Sequence, residues 1–403
     1  MMNIFFETQE RLLQEVPTAF HRFLYATLDF KSRLIGIVGP RGVGKTTLLL
    51  QYLKSRKEKG RNVLYVSLDD IYFSEHTLSE FVRQFVNEYA GSLLILDEVH
   101  KYPSWNQELK NIYDAYPKLQ IIFSGSSSLD LIKGNYDLSR RAVIHHLPGL
   151  SFREYIHLTL GTQLPRLSLS SILNHHHEAS EDIAKKIHPL KEFKDYLESG
   201  YYPYRSESGL MPYFQKINAT IEKTIYLDIA HFYSLKTSSL PYFQKILTYL
   251  ALIPPGKISS NNIAKNLRIA SETVNDYLEY LRGTSLIRYL PIDARGSKHI
   301  RNAAKVFLDN TNMAKSIASS LDQPSDSGQI RELFFLNQLQ NAGFFPSYSK
   351  EGDMRCQNFT FEIGGPKKSW EKFKRTSGNY IVRDSILFGE KQIIPLFLFG
   401  FLY

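Results

Sequence analysis

The first third of the sequence predicts an α/β fold in which a parallel sheet is flanked by helices. Short runs that are apolar almost throughout, instead of alternating with polar residues, are typical of strands buried on both faces. Four such runs lie at 33–38, 62–68, 92–97 and 119–124. Segments with helical periodicity separate them, near 47–53, 76–89 and 105–115. A glycine-rich loop directly follows the first run, as expected of a doubly wound α/β domain.

The loop after the first strand reads Gly-Pro-Arg-Gly-Val-Gly-Lys-Thr and matches the pattern G-x-x-x-x-G-K-[ST]. A strand, such a loop and a helix N-terminus direct backbone N–H groups and the helix dipole toward one point, which suits a polyphosphate. We therefore expect a nucleoside triphosphate here, with Lys45 at its β/γ-phosphates and the Thr46 hydroxyl on Mg²⁺. The residues predicted to bind the nucleotide are Gly39, Pro40, Arg41, Gly42, Val43, Gly44, Lys45, Thr46 and Thr47.

Candidate catalytic residues follow the third and fourth apolar runs. The third run ends in Asp97 and Glu98. Asp97 is predicted at the carboxyl end of a central strand, beside the loop, where it would hold Mg²⁺ directly or through water. Glu98 lies one residue closer to the nucleotide, so we expect it to be the general base for the attacking water. The fourth run ends in Ser124, a predicted sensor of the γ-phosphate with Ser126 as the alternative; both serines could instead cap the next helix.

The composition is that of an ordinary globular protein, with 43% hydrophobic and 22% charged residues. The single cysteine, Cys356, excludes an internal disulfide and fits a reducing compartment. The sequence shows neither a secretory signal nor an apolar run of the roughly 20 residues that span a bilayer. We therefore expect a cytoplasmic protein without membrane contact. The formal charge of +9 permits an acidic partner such as nucleic acid but does not require one.

Together these motifs resemble a prokaryotic AAA-superfamily ATPase, of the branch that carries a C-terminal domain of unknown function. The resemblance covers most of the chain and is most specific between 33 and 155. The motifs that carry it are the loop at 39–47, Leu-Leu-Ile-Leu-Asp-Glu-Val-His at 93–100, Tyr-Pro-Ser-Trp at 102–105, Ser-Gly-Ser-Ser-Ser at 124–128, and the segments 138–143 and 147–155. The resemblance implies that the nucleotide is ATP. The sequence by itself shows only that the guanine-reading Asn-Lys-x-Asp motif is absent.

The same resemblance implies a catalytic arginine. In that family the segment at 138–141 usually ends in Gly-Arg, and its arginine is a candidate γ-phosphate sensor. Arg141 occupies that position, and a guanidinium neutralises the charge that develops on a transferred phosphoryl group. Arg140 stands where the family has glycine. It therefore stays open which of the two arginines acts, and whether it acts within one subunit or across to another.

The sequence divides into four predicted parts. They are an AAA-type ATPase domain at 1–165, a linker and helical connector at 166–239, a winged-helix domain at 240–310, and a small α/β domain at 311–403. The linker contains Asn-His-His-His-Glu at 174–178. Consecutive residues of a helix point in different directions, so three adjacent histidines do not form a metal site by themselves. We interpret this segment as an exposed linker.

Three short helical segments and a strand pair predict the winged helix. Residues 240–301 contain nine Lys and Arg against four Asp and Glu, which favours DNA binding. The predicted recognition helix, however, presents Glu272, Asp276 and Glu279, whose charges oppose phosphates. Basic residues of the predicted wing could still hold the DNA backbone: Arg295, Lys298 and Arg301. Duplex DNA and a protein partner both stay open.

The last part of the chain resembles the nuclease-like α/β tail of the family. Candidates for a carboxylate metal centre are Glu332, Asp353 and Glu362, with Lys367 or Lys368. An active E-x-K arrangement needs a lysine two residues after Glu362, on the same strand face, and Gly364 is there instead. We therefore interpret this domain as an inactive nuclease-like fold, with the apolar segment 393–403 as its closing strand.

The predicted function is Mg²⁺-dependent ATP hydrolysis that repositions the winged-helix and C-terminal domains. Two alternatives are an ATP-regulated, metal-dependent nuclease and a slowly hydrolysing switch that binds a protein partner. Oligomerisation is compatible with all three.

Overall fold

The computed structural model describes residues 2–57, 62–125, 138, 140–207, 209–253, 260–292, 303–371 and 373–403. The chain falls into two compact units, Met1–Pro148 and Gly149–Tyr403. No helix among the described residues is long and apolar enough to cross a membrane.

A five-stranded parallel sheet forms the centre of the first unit, in the order β2-β3-β4-β1-β5. Its strands are β1 (Leu34–Val38), β2 (Val63–Ser67), β3 (Leu93–Asp97), β4 (Gln120–Gly125) and β5 (Val143–His146). Every residue of β1 and β3 is buried, as the continuous apolar runs predicted. The α/β class with a parallel sheet is confirmed.

Helices cover this sheet. They are α1 (Met2–Glu15), α2 (Phe23–Thr27), α3 (Lys45–Lys57), α4 (Leu78–Tyr89) and α5 (Trp105–Ala115). The apolar faces of α1, α4 and α5 share one core with the strands, through residues such as Phe5, Phe85 and Leu109. A capping box between Thr77 and Glu80 fixes the start of α4. The core therefore holds the carboxyl ends of β1 and β3, where the site predicted from the sequence lies.

The second unit begins earlier than the predicted boundary at 165. Its helices are α6 (Phe152–Leu160), α7 (Leu169–Ala184), α8 (Pro189–Ser199), α9 (Leu210–Lys223), α10 (Ala230–Phe232), α11 (Leu240–Leu252), α12 (Ser260–Leu267), α13 (Ser271–Gly283), α14 (Thr311–Ser319) and α15 (Ser327–Asn341). Helix α6 belongs to this unit, since the ring of Phe152 packs against Phe193 of α8 and against Phe401. A π-helical turn, Thr224–Ile229, connects α9 to α10.

The prediction of an exposed linker is wrong for most of 166–185. This segment forms α7, whose buried face includes Ile172, Leu173 and Ile183. The polar and serine-rich composition concealed an apolar stripe at helical spacing.

The elements of 240–310 follow the predicted order. Helices α11, α12 and α13 precede an antiparallel pair of strands, β6 (Ile287–Pro291) and β7 (Ala303–Leu308). The predicted wing residues Arg295, Lys298 and Arg301 lie outside the described residues. The winged-helix arrangement itself stays a prediction.

A mixed sheet closes the second unit, in the order β12-β11-β10-β9-β8. Its strands are β8 (Ser347–Tyr348), β9 (Met354–Cys356), β10 (Phe359–Gly364), β11 (Asn379–Arg383) and β12 (Ile393–Pro395). The predicted closing strand at 393–403 is wrong beyond Pro395, because Leu396–Phe401 forms a buried 3₁₀ helix. In β9, burial raises the pKa of the Cys356 thiol to about 11.

Candidate nucleotide site

The glycine-rich loop connects β1 to the first turn of α3. Gly42 and Gly44 have φ values of +79° and +93°, a backbone region that side chains other than glycine rarely adopt. These two residues let the loop turn tightly before the helix begins at Lys45. The loop therefore ends at a helix N-terminus, whose N–H groups and dipole favour an anion.

The Lys45 side chain lies against this loop and is buried. Its Nζ donates to the carbonyl oxygens of Gly39 and Pro40, both at 2.9 Å. A positive charge is thus held beside the loop N–H groups, which is the chemistry that the sequence pattern predicted for phosphate binding.

Asp97 ends β3 and is 2% exposed. Its Oδ2 accepts from Thr46 Oγ1 at 2.6 Å and from the Tyr65 hydroxyl at 2.8 Å. Its Oδ1 accepts from the Ser124 hydroxyl and from the Glu98 N–H, the latter at 3.1 Å. These hydrogen bonds fix the orientation of the Asp97 carboxylate.

The Tyr65 hydroxyl remains a donor to this carboxylate. Burial, reinforced by the negative charge of Asp97, raises the pKa of Tyr65 well above its ordinary value. The sequence analysis missed this residue. A usable signal was its place on an adjacent parallel strand, two residues before Ser67, which pairs with Asp97.

Glu98 leaves the strand in a left-handed backbone conformation, with φ +54°. Such a conformation is uncommon outside glycine and frequent at functional sites. The Glu98 N–H also donates to Ser124 Oγ at 3.2 Å. The Glu98 Oε2 lies 3.4 Å from His100 Nε2 and 4.0 Å from Arg41 Nη1. The candidate base is therefore linked to the glycine-rich loop through two cationic or protonatable side chains.

The residues present fit a magnesium ion. Hydroxyl and carboxylate oxygens are the ligands that Mg²⁺ prefers. Thr46 Oγ1 and Asp97 Oδ2 supply both kinds and lie only 2.6 Å apart at the end of the loop.

The structure does not bring Arg141 to this site. The Arg141 guanidinium pairs with Asp114 near the end of α5, with Nε to Oδ1 at 3.0 Å. Arg141 precedes β5, which pairs in parallel with β1 from Ile35↔Val143, so it lies at the amino edge of the sheet. The glycine-rich loop lies at the opposite, carboxyl edge. Arg140 is exposed in the same turn, and Ser126 lies outside the described residues.

Arg22 is a further residue that the sequence did not reveal. It is 4% exposed and donates to the carbonyl oxygen of Val43 and, at 2.8 Å, to that of Pro148. Its guanidinium thus holds the backbone of the glycine-rich loop at Val43. A lone arginine far upstream of the loop carries no sequence signal for this role.

The second unit contains a separate cluster of charged side chains. Lys305 Nζ lies 2.6 Å from Glu332 Oε2 and 3.9 Å from Asp353 Oδ1. Burial, with the neighbouring charge of Asp353, raises the pKa of Glu332 to about 7. Burial also raises the pKa of Glu362, whose carboxylate pairs with Lys368.

Gly364 occupies the E-x-K position, as the sequence shows, but Lys368, six residues after Glu362, pairs with the Glu362 carboxylate. The Lys305 ammonium also contacts the Glu332 carboxyl group, at 2.6 Å. Within the described part of the chain, no group of three or more His, Cys, Asp or Glu side chains is arranged to hold a metal ion. The histidines of α7 are among the residues to which this statement applies. One of them, His176, has its Nε2 3.0 Å from the Lys391 carbonyl oxygen.

Comparisons with known proteins bear on both units. Residues 31–156 match the family model described as an AAA domain. The five-stranded parallel sheet of the first unit matches the P-loop NTPase fold. Residues 190–323 match a domain of unknown function (DUF8612), a span that crosses the predicted connector and winged helix.

An uncharacterized protein of Methanocaldococcus jannaschii, MJ1637, is 30% identical over 289 residues, or 68% of this chain. The chain spans only 60% of the length of that relative. Among solved structures, AMPPCP-bound DnaA from Aquifex aeolicus is similar at 17% identity and TM-score 0.28, covering 68% of this chain and 86% of its own. PCH-2 from C. elegans is similar at 17% identity and TM-score 0.25, covering 60% and 62%.

Proposed function

We propose that the first unit is a Mg²⁺-dependent ATPase. The observation that carries this proposal is the junction of the glycine-rich loop with the end of β3. There Lys45 lies against the loop, and Thr46 contacts the Asp97 carboxylate at 2.6 Å. The choice of ATP over GTP rests on the resemblance to AAA-superfamily ATPases. ATP hydrolysis would then reposition parts of the second unit.

Each residue of the site has a proposed role. The loop N–H groups and Lys45 bind the phosphates, and Thr46 and Asp97 hold the metal. Mg²⁺, when bound, neutralises charge on the phosphoryl oxygens. Glu98 accepts a proton from the attacking water. Ser124 holds the Asp97 carboxylate and the Glu98 backbone in one arrangement, which makes positioning its proposed contribution.

Turnover of ATP by the wild type, Lys45→Ala and Glu98→Gln tests the proposal. We expect Mg²⁺-dependent turnover in the wild type and loss of ATP binding in Lys45→Ala. Glu98→Gln is expected to retain ATP binding with turnover reduced by about 10²- to 10⁴-fold, the usual contribution of a general base. Unchanged turnover in Glu98→Gln would remove Glu98 from this role.

The partner of the second unit is a separate question. In α13, Glu272 and Asp276 are exposed, which opposes contact of this helix with DNA phosphates. Arg288 is engaged with Asp309 at 2.8 Å and does not contribute an exposed positive charge. We therefore favour a protein partner over duplex DNA. Stimulation of turnover by duplex DNA, lost steeply with added salt, would favour DNA instead.

A metal-dependent nuclease is a second candidate function, because Glu332, Asp353 and Glu362 do lie in one charged cluster. Lys305 counts against it, since its ammonium lies where a metal would have to neutralise Glu332. We expect no Mg²⁺-dependent cutting of plasmid DNA by the wild type. Cutting that disappears in Glu362→Ala would establish the nuclease.

A further inference from the structure

In the candidate site, two side chains lie close to the same ring nitrogen of a third. His100 Nε2 lies 3.4 Å from Glu98 Oε2 and 3.4 Å from Arg41 Nη2. Arg41 belongs to the glycine-rich loop, whereas Glu98 and His100 follow β3. The imidazole therefore stands between the loop that would receive the phosphates and the carboxylate that would activate water.

The chemistry of a neutral imidazole makes these two contacts exclusive. A ring nitrogen that carries hydrogen can donate to the Glu98 carboxylate but cannot accept from Arg41. The same nitrogen without hydrogen can accept from Arg41, and its lone pair then opposes the Glu98 oxygen. Nε2 can therefore hold either partner but not both.

The imidazole of His100 and the side chain of Arg41 differ in their exposure. The His100 side chain is 5% exposed, so packing fixes the ring, and Val99 before it is buried. The Arg41 side chain is 20% exposed and lies on the loop itself. A guanidinium in that place is attracted to a polyphosphate through bidentate, charge-assisted hydrogen bonds. Phosphate binding would thus withdraw Arg41 from the ring.

We propose that His100 couples phosphate binding to the orientation of Glu98. When Arg41 turns to the phosphates, His100 Nε2 becomes a donor and holds the Glu98 carboxylate for the attacking water. The change moves one proton from Nδ1 to Nε2 through exchange with water and leaves the ring neutral. His100 and Arg41 are positioning residues in this scheme. The inference rests on the proposed ATPase function and adds its regulation.

The test separates kcat from KM in a set of variants: His100→Ala, His100→Gln, Arg41→Ala, and the double variant. We expect kcat of His100→Ala to fall about 10- to 100-fold, the cost of a misplaced catalytic group, with KM for ATP changed less than about threefold. His100→Gln keeps an N–H donor and should recover much of kcat. Arg41→Ala should raise KM and spare kcat, because Nε2 is then free to serve Glu98.

The double variant shows whether Arg41 also acts on Glu98 directly. Its kcat should equal that of His100→Ala, and a further fall would show that the Arg41 Nη1–Glu98 Oε2 contact at 4.0 Å bypasses His100. His76→Ala is the matched control, since His76 stacks on Tyr72 and belongs to no part of the site. It should behave as the wild type.

Three outcomes would overturn the coupling. They are an unchanged kcat in His100→Ala, a fall in kcat of similar size in Arg41→Ala, and a loss in His100→Ala that comes with a lower Tm and is not recovered by His100→Gln. If His100→Ala does not fold, His100→Gln and Arg41→Ala still decide between these cases. Absence of turnover in the wild type would contradict the ATPase itself, and is thereby distinguished from failure of the coupling alone.

Discussion

At the scale of single residues, Asp97 shows how a metal ligand is prepared by its neighbours. The carboxylate accepts from Tyr65 of β2, from the Glu98 N–H after β3 and from Ser124 of β4. It also accepts from Thr46 in the first turn of α3. Hydrogen-bond partners of a metal ligand fix its orientation and tune its affinity for the metal. Tyr65, outside the sequence motif, is as much a part of this site as the motif residues.

Tyr65→Phe is therefore expected to weaken the binding of Mg²⁺ to the site. The variant removes only the hydroxyl that donates to Asp97 Oδ2 and keeps the ring. Loss of such a supporting hydrogen bond typically weakens metal affinity by about 10-fold or more. The measurement is the Mg²⁺ concentration at half-maximal ATP turnover. Tyr89→Phe, whose ring packs on Phe6, serves as the control; equal values in the two variants would contradict the assigned role.

At the scale of elements, α1 protects an edge of the sheet. Strand β2 ends the strand order, which leaves its outer N–H and C=O groups without a neighbouring strand. Gln9 of α1 accepts from the Tyr65 N–H at 2.7 Å and donates to the Val63 carbonyl oxygen at 3.4 Å. The Gln9 side-chain amide therefore makes hydrogen bonds that a neighbouring strand would otherwise make.

Gln9→Leu should destabilise the first unit. The substitution keeps the size of a side chain that is 2% exposed but leaves two backbone groups of β2 without partners. Each buried unsatisfied group costs about 1–3 kcal/mol. Urea unfolding gives the free energy, and amide hydrogen exchange at Tyr65 locates the effect. Gln14→Leu, at an exposed position of the same helix, should change neither.

The elements also show what the sequence could predict and why the rest escaped it. Strands β1 and β3 were predictable because their apolar runs adjoin motifs whose chemistry fixes the backbone. The segment 393–403 was predictable as buried but not as a 3₁₀ helix after Pro395, because a continuous apolar run indicates burial and not backbone conformation. The place of Arg141 at the amino edge of the sheet was not predictable, because a motif gives position along the chain whereas the edge of the sheet depends on strand pairing.

At the scale of the whole molecule, each unit contains one tryptophan, Trp105 in the first and Trp370 in the second. Fluorescence can therefore follow either unit by itself once the other tryptophan is replaced by phenylalanine. This matters for the second unit, because its carboxylate–lysine cluster makes stability depend on pH.

The second unit should lose stability as the pH rises from about 5 to 8. Burial beside Asp353 raises the pKa of Glu332 from 4.5 to about 7. The folded state then binds this proton more tightly than the unfolded state does, so its contribution is full below pH 4.5 and is lost through pH 7. The change should be about 1–3 kcal/mol.

Urea unfolding of Trp105→Phe at several pH values, followed through Trp370, measures this dependence. Adding Glu332→Gln should flatten the profile, because the amide does not titrate. Glu351→Gln, at an exposed position of the same unit, should leave it unchanged. A slope that persists in Glu332→Gln would place its origin in another group.

The burial of Cys356 has a practical consequence for the proposed conformational change. A thiol that is 1% exposed, with its pKa raised to about 11, reacts poorly with maleimides near neutral pH. The natural chain therefore behaves as cysteine-free toward a dye. Ile71→Cys and Phe345→Cys, at side chains 85% and 94% exposed in different units, would carry a donor and an acceptor fluorophore. Energy transfer between them, with and without ATP, would show directly whether hydrolysis moves one unit relative to the other.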